Sequence, residues 1–329
     1  MKDLRRARRT GAAAIVCALM MRLWSAGVPQ ALVSWIFQQN IASFLTDSET
    51  GQNVRFSSSL DTFSPDFAET PLPLLPEPTE PPLPFFSDTE EIDLYYAVSK
   101  DPDIPALLTQ PLKWDLRGAL PTVLVLHTHS TESYTKAGEN YKESAAWRTL
   151  DEGYNMLSIG DQVVQLLATN GICAIQDRSL HDYPSYNGSY TRARKTIQAY
   201  LEEYPTISLV LDLHRDASGS ENRQMRTRCQ VAGQDSAQLM LVIGTNHEGF
   251  EENLSLALKL HAQLEALAPG IMRPLQLRAS RFNQDLCPGA VLVEVGAAGN
   301  THAEAQLAAQ TLGQAVIALA RGTQGEKEE

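Results

Sequence analysis

The chain has 329 residues, 43% of them apolar and 20% charged, enough for one large domain or two smaller ones with tails. A net charge of −12 argues against nucleic acid as the main partner, because phosphate binding needs a basic face. Cys17, Cys173, Cys229 and Cys287 include no CxxC pair, which speaks against a thiolate zinc cluster and a disulfide framework; they read as small buried residues.

The chain opens on "MKDLRRARRT", with five basic residues, followed by the apolar "GAAAIVCALMMRLWSAGV". A cleaved signal peptide and an uncleaved anchor compete here. No small-x-small cleavage site follows the first apolar run, so residues 1–40 are read as a basic n-region and signal anchor, with Arg22 as an interruption. The Lys/Arg cluster would hold the N-terminus in the cytoplasm and send the remainder across the membrane. Residues 41–110 read as a linker. Within it, residues 64–87 hold eight prolines, which favour extended polyproline conformations and a semi-rigid spacer.

Residues 111–323 carry a different pattern, before a charged tail over 324–329. "TVLVLH", "TISLVLDLH", "QLMLVIG" and "GAVLVEVG" are short unbroken aliphatic runs, as strands buried on both faces require. Between them lie helical periods. Met156, Ile159, Val163, Leu166 and Leu167 fall on one face, with Gly171 as the stop. "TRARKTIQAYLEEY" and "ENLSLALKLHAQLEAL" follow the same rule, and Thr301 with Glu304 makes a capping box for the last helix. Strands alternating with helices predict a three-layer α/β/α domain with a mostly parallel sheet. Ligands of such sheets sit beyond the carboxyl ends of the strands.

Three of the four runs carry polar residues there. The first ends in His127-Thr128-His129 with Glu132 close behind. The second ends in Asp212-Leu213-His214-Arg215-Asp216, and the last contains Glu294. Imidazoles with one carboxylate and an open position suit Zn2+, and a free glutamate can take a proton from an attacking water. An HxH dipeptide alone is weak evidence, because loop histidines are more often structural. Glu294 is stronger, since an unpaired carboxylate in a central strand is costly. An ion pair with Arg215 would explain it structurally; a base facing a metal explains it functionally and is preferred. His181, His247, His261 and His302 fall in polar loops, a helix and a cap, and most are read as solvated. No G-x-S-x-G elbow supports a serine hydrolase.

At these residues the chain resembles the stage II sporulation protein P family. The likeness covers about residues 120–320, through ordered blocks such as "HTHSTESY", "YNMLSIGDQ", "SYNGSYTRAR", "DLHRDA" and "FNQDLCPGAVLVEVGAAGNT". It implies kinship with zinc-dependent N-acetylmuramoyl-L-alanine amidases. The expected activity is cleavage of peptidoglycan, as amidase and endopeptidase, in septal wall thinning and engulfment during sporulation. The expected place is the mother-cell membrane, with the catalytic domain facing the septal space. The implied partners are the stage II sporulation proteins D and M. By the same resemblance, His129 and His214 match metal histidines, with His127 a second ligand or a supporting group. Glu294 matches the amidase glutamate, and Arg215 would orient Glu294 or substrate carboxylates. The amidase acidic ligand lies four residues before an Asn, so Asn155 points back to Asp151, beside Glu152; Glu132 is the rival and is preferred.

Overall fold

The computed structural model describes residues 94–96, 100–135, 147–217, 219–220 and 223–325. The anchor and the proline-rich stretch lie outside the described residues. Among those residues, no helix is long and apolar enough to cross a membrane.

Alternation along the aliphatic strands decides where the helices go. In β2 (Val123–Leu126), Val123 and Val125 enter one core, while Leu124 and Leu126 enter another on the opposite face. In β4 (Leu209–Asp216), Leu209, Leu211 and Leu213 join the first core and Val210 joins the second. Period-2 side-chain placement therefore gives the sheet two dry faces.

The first face is covered by α2 (Met156–Thr169), α4 (Phe250–Leu267) and α5 (His302–Gly325). Met156, Ile159, Val163 and Leu167 are buried as the helical period predicts, and Gly171 turns the chain in the left-handed region at φ +80°. Helix α5 starts as expected: Glu304 N donates to Thr301 Oγ1 (3.2 Å) and Thr301 N to Glu304 Oε2 (3.1 Å). Ala305, Ala308, Ala309 and Ala315 let α5 approach its neighbours closely, so it is buried almost all round. On the second face stands α3 (Ser189–Glu203), through Ala193 and Ile197. The three layers are thus present, with unequal outer ones.

The sheet has seven strands, completed by β1 (Leu94–Tyr96), β3 (Ala174–Gln176), β9 (Leu239–Gly244), β10 (Leu275–Arg278) and β11 (Ala290–Ala297). Their order is β1-β10-β9-β11-β4-β2-β3. Every neighbouring pair is parallel except β11 with β9. That junction splits the sheet into two oppositely directed blocks, so only β3, β2, β4 and β11 aim their carboxyl ends at one edge. Two small hairpins lie apart: β5 (Gly219–Ser220) with β6 (Arg223–Gln224), and β7 (Arg228–Val231) with β8 (Gln234–Ala237).

The folded unit also begins upstream of residue 111, where the linker was expected to end. Strand β1 pairs with β10, and α1 (Ile104–Thr109) buries Leu107 and Leu108. Ser255 Oγ and the buried Lys259 Nζ both donate to Leu107 O at 2.7 Å, holding that helix end to α4. Cys173, Cys229 and Cys287 are free thiols, and only Cys287 is buried.

Candidate active site

Strand ends of the β2–β4–β11 block bring the polar residues together. Even-numbered positions of β4 share a face, so Asp212 and His214 project together, and Glu294 stands directly beside His214 in the β11–β4 ladder. Strand β2 stops at Leu126, and the chain turns through His127–Glu132 over this edge. The hydroxyl residues of that turn hold it down. Thr128 donates from N (2.8 Å) and Oγ1 (2.7 Å) to the two oxygens of Asp212. Thr131 donates from N (3.2 Å) and Oγ1 (2.6 Å) to Asp182, which also accepts from Ser130 Oγ at 3.3 Å. Two buried carboxylates thus fix the turn carrying His129 and Glu132.

His129 and His214 meet edge to face, with ring centroids 5.2 Å apart. Glu132 Oε2 lies 3.6 Å from His214 Nδ1. Buried His129 Nδ1 has no hydrogen-bond partner. Glu294 keeps some exposure as a residue, yet its Oε2 is sealed from solvent and also lacks a partner. Buried polar atoms left without partners are uncommon and mark a place for a water, an ion or a catalytic role. Burial pushes the Glu294 carboxyl up to about 8 and pulls His129 down to about 4. Burial also lowers His214, but Asp212, then Glu132 and Glu294, outweigh it and raise His214 to about 9. The walls are aromatic. Tyr186 stacks on His129 at 4.5 Å, and Tyr190 lies parallel to His214 at 6.3 Å and edge-on to His129 at 5.6 Å.

The other expected ligands go elsewhere. His127 faces α2: its Nδ1–H donates to Leu213 O (3.2 Å) and its Nε2 accepts from Gln176 Nε2 (3.0 Å), so both nitrogens are used. Burial lowers it to about 4, keeping the ring neutral. It is a structural histidine under the turn. Asp151 caps the turn at Gly153 N (3.0 Å), and the exposed Glu152 pairs with Arg178 at 2.7 Å. Glu132 remains as the acidic candidate, but two arginines hold it: Arg148 Nη2 at 3.4 Å and Arg215 Nη1 at 3.7 Å from Oε1.

Arg215 projects to the face opposite His214. Its guanidinium donates to Ser133 O (3.2 Å) and Trp147 O (2.9 Å), and its side chain is 1% exposed. It is not open to substrate carboxylates, and its visible work is to tie the 131–135 and 147–149 segments to β4. Asp182, Arg148, Tyr186 and Tyr190 also carry this architecture and are not singled out by the sequence, and Asp212, named there as a strand-end residue, gains its role only here. The signals were present in alternation along "LDLHRD" and in the hydroxyls of "HTHST". The remaining histidines are also less solvated than expected. His181 is buried against Asp177 (2.8 Å), His261 is buried in α4, and His302 bonds Ser158 Oγ at 2.7 Å.

Among the described residues, no three or more His, Cys, Asp or Glu side chains stand in ligating geometry. The donor chemistry nevertheless suits a divalent cation: two adjoining imidazoles, one carboxylate beside them, and three buried atoms without a hydrogen-bond partner, His129 Nδ1, His214 Nε2 and Glu294 Oε2.

The sequence model of the family described as "Stage II sporulation protein P" matches residues 85–317. The chain belongs to that family. Stage II sporulation protein P of Bacillus subtilis (strain 168) is 30% identical over 205 residues, which cover 58% of this chain and 49% of that protein. The chain therefore spans about half the length of the curated relative it matches. Two solved structures are also similar. N-acetylmuramoyl-L-alanine amidase AmiC2 of Nostoc punctiforme aligns at 16% identity over 65% of this chain and 99% of its own, with a TM-score of 0.35. The catalytic domain of the amidase CwlV from Bacillus (Paenibacillus) polymyxa var. colistinus aligns at 14% over 60% and 96%, with a TM-score of 0.39.

One backbone feature of this stage II sporulation protein P family member directly follows Glu294. The β11–β4 register shifts between Glu294 and Ala297, where Gly296 takes φ +68°. A Cβ there would stand 2.7 Å from Ala237 Cβ and 2.9 Å from Asn300 Oδ1. Gly296→Ala is expected to cost about 1–3 kcal/mol, from left-handed strain and overpacking together, read as a lower urea midpoint at unchanged slope.

Proposed function

We propose that this chain is a zinc-dependent peptidoglycan hydrolase, cutting the muramoyl–L-alanine amide and stem-peptide cross-links during sporulation. The observation that carries this is the meeting of His129, His214 and Glu132 beside the unpartnered Glu294 carboxyl at one sheet edge. Family membership and the relative's name support the setting.

His129, His214 and Glu132 would hold the ion, Glu132 exchanging its arginine contacts for it. Bound Zn2+ would polarise the scissile carbonyl and lower the pKa of an attacking water. Glu294 accepts that proton and returns it to the leaving amine. Its carboxyl is buried with Oε2 unpartnered, a setting that raises proton affinity and suits a group that takes a proton and gives it back. Tyr186 and Tyr190 wall the histidines from bulk water. In this account the N-terminal basic and apolar segment anchors the chain in the membrane, the site faces the septal space, and stage II sporulation proteins D and M act with it.

A peptidoglycan-holding module without cleavage is the second reading, and the arginine ties of Glu132 favour it. Incubating the purified chain with sacculi separates the two. Released muropeptides that disappear with chelator and return with Zn2+ are expected. Binding without release, whatever the metal, would establish the second reading.

A further inference from the structure

The two nitrogens of His214 face different carboxylates. Nε2 lies 3.1 Å from Asp212 Oδ1, off the line of an aligned hydrogen bond, and Nδ1 lies 3.6 Å from Glu132 Oε2. These carboxylates are not equivalent. Asp212 is buried in β4, and both of its oxygens are engaged by the Thr128 N–H and hydroxyl. It has no freedom to swing towards an ion without releasing the turn. Glu132 sits on the turn itself, three residues after His129, where its N–H donates to His129 O at 3.1 Å. We propose that Asp212 is a positioning residue: it reserves Nε2 of His214 for itself and leaves Nδ1 as the nitrogen that meets a bound cation beside His129 and Glu132.

The physical basis is general. A metal-binding imidazole that donates its other N–H to a fixed carboxylate is locked in one tautomer and one orientation, and loss of that partner costs about 10- to 100-fold in metal affinity. Here the same carboxylate grips Thr128, the residue just before His129. One buried acid therefore orients one candidate ligand and places the backbone of the other. Sequence resemblance pointed to the histidines and the glutamate but gave Asp212 no role.

The inference rests on the metal centre proposed above, and the test separates the two. The full chain, with isotope-labelled histidine, is loaded with an NMR-active cadmium isotope as the probe. Coupling of cadmium to His214 Nδ1, with a proton on Nε2, is expected. Coupling through His214 Nε2 overturns the role of Asp212 while leaving the metal centre intact, whereas cadmium coupled to neither histidine overturns both. Asp212→Asn should weaken Zn2+ binding about 10- to 100-fold in competition with a chelating dye. Should that variant fail to fold, Thr128→Val serves instead, with Thr128→Ser restoring the wild-type value. Unchanged affinity in the Asp212 variant, or in Thr128→Val where it stands in, contradicts the proposal.

Discussion

Glu294→Gln should retain bound metal and the native fold, yet release muropeptides from sacculi about 10²- to 10⁴-fold more slowly, the usual contribution of a positioned acid–base group. Gln matches the protonated carboxyl in shape, so β11 and its bulge have no reason to move. What disappears is the capacity to take and return a proton. A variant that digests sacculi at the wild-type rate would remove Glu294 from the chemistry. The same substitution has a stability signature. Burial lifts the Glu294 carboxyl from an ordinary 4.5 to about 8 in the native chain. A raised carboxyl pKa favours the native state at low pH, where the group is neutral, and that contribution is lost as pH climbs through the native value. In chelator, the wild type should therefore lose stability relative to Glu294→Gln between roughly pH 5 and pH 9. Parallel melting-temperature curves across that range would show that the carboxyl is not desolvated.

Arg215→Ala carries the largest expected cost in stability. The guanidinium bonds two backbone carbonyls and stands against the buried Glu132. Its removal leaves those carbonyls short of a donor and strips Glu132 of one of its two arginines, for a loss of about 3–5 kcal/mol in urea unfolding. Arg215→Lys should recover little, because a single ammonium cannot span three acceptors held in a fork. A loss below about 1 kcal/mol would mean that Arg148 alone compensates Glu132.

The sheet and its helices were legible because unbroken aliphatic runs, a 3.6-residue period and the Thr301–Glu304 box each report a local constraint. The direction of β9 against β11 was not, since an aliphatic run reads alike both ways. Upstream, "LYY" is too short a run to mark β1. At the candidate site, the sequence points to His129, His214 and Glu294 as residues on or just beyond strands, and the structure brings His214 beside both of the others. His127, left open between second ligand and supporting group, stands apart from His129 because residues 127 and 129 would share a face only if β2 continued; it ends at Leu126, and the turn sends the two rings apart. The hydroxyls of "HTHST" and the alternation of "LDLHRD" mark groups able to bond, but that Asp182 and Asp212 are their partners is a long-range pairing, 51 and 84 residues apart in the chain.

Equilibrium dialysis of the purified chain against Zn2+, with His129→Ala and His214→Ala alongside, addresses the central claim most directly. One tightly held ion per wild-type chain is expected, with occupancy lost in both variants while their folded far-ultraviolet spectra persist. A wild-type chain that retains no zinc, or variants that bind it as well as the wild type, would contradict a metal centre at this sheet edge.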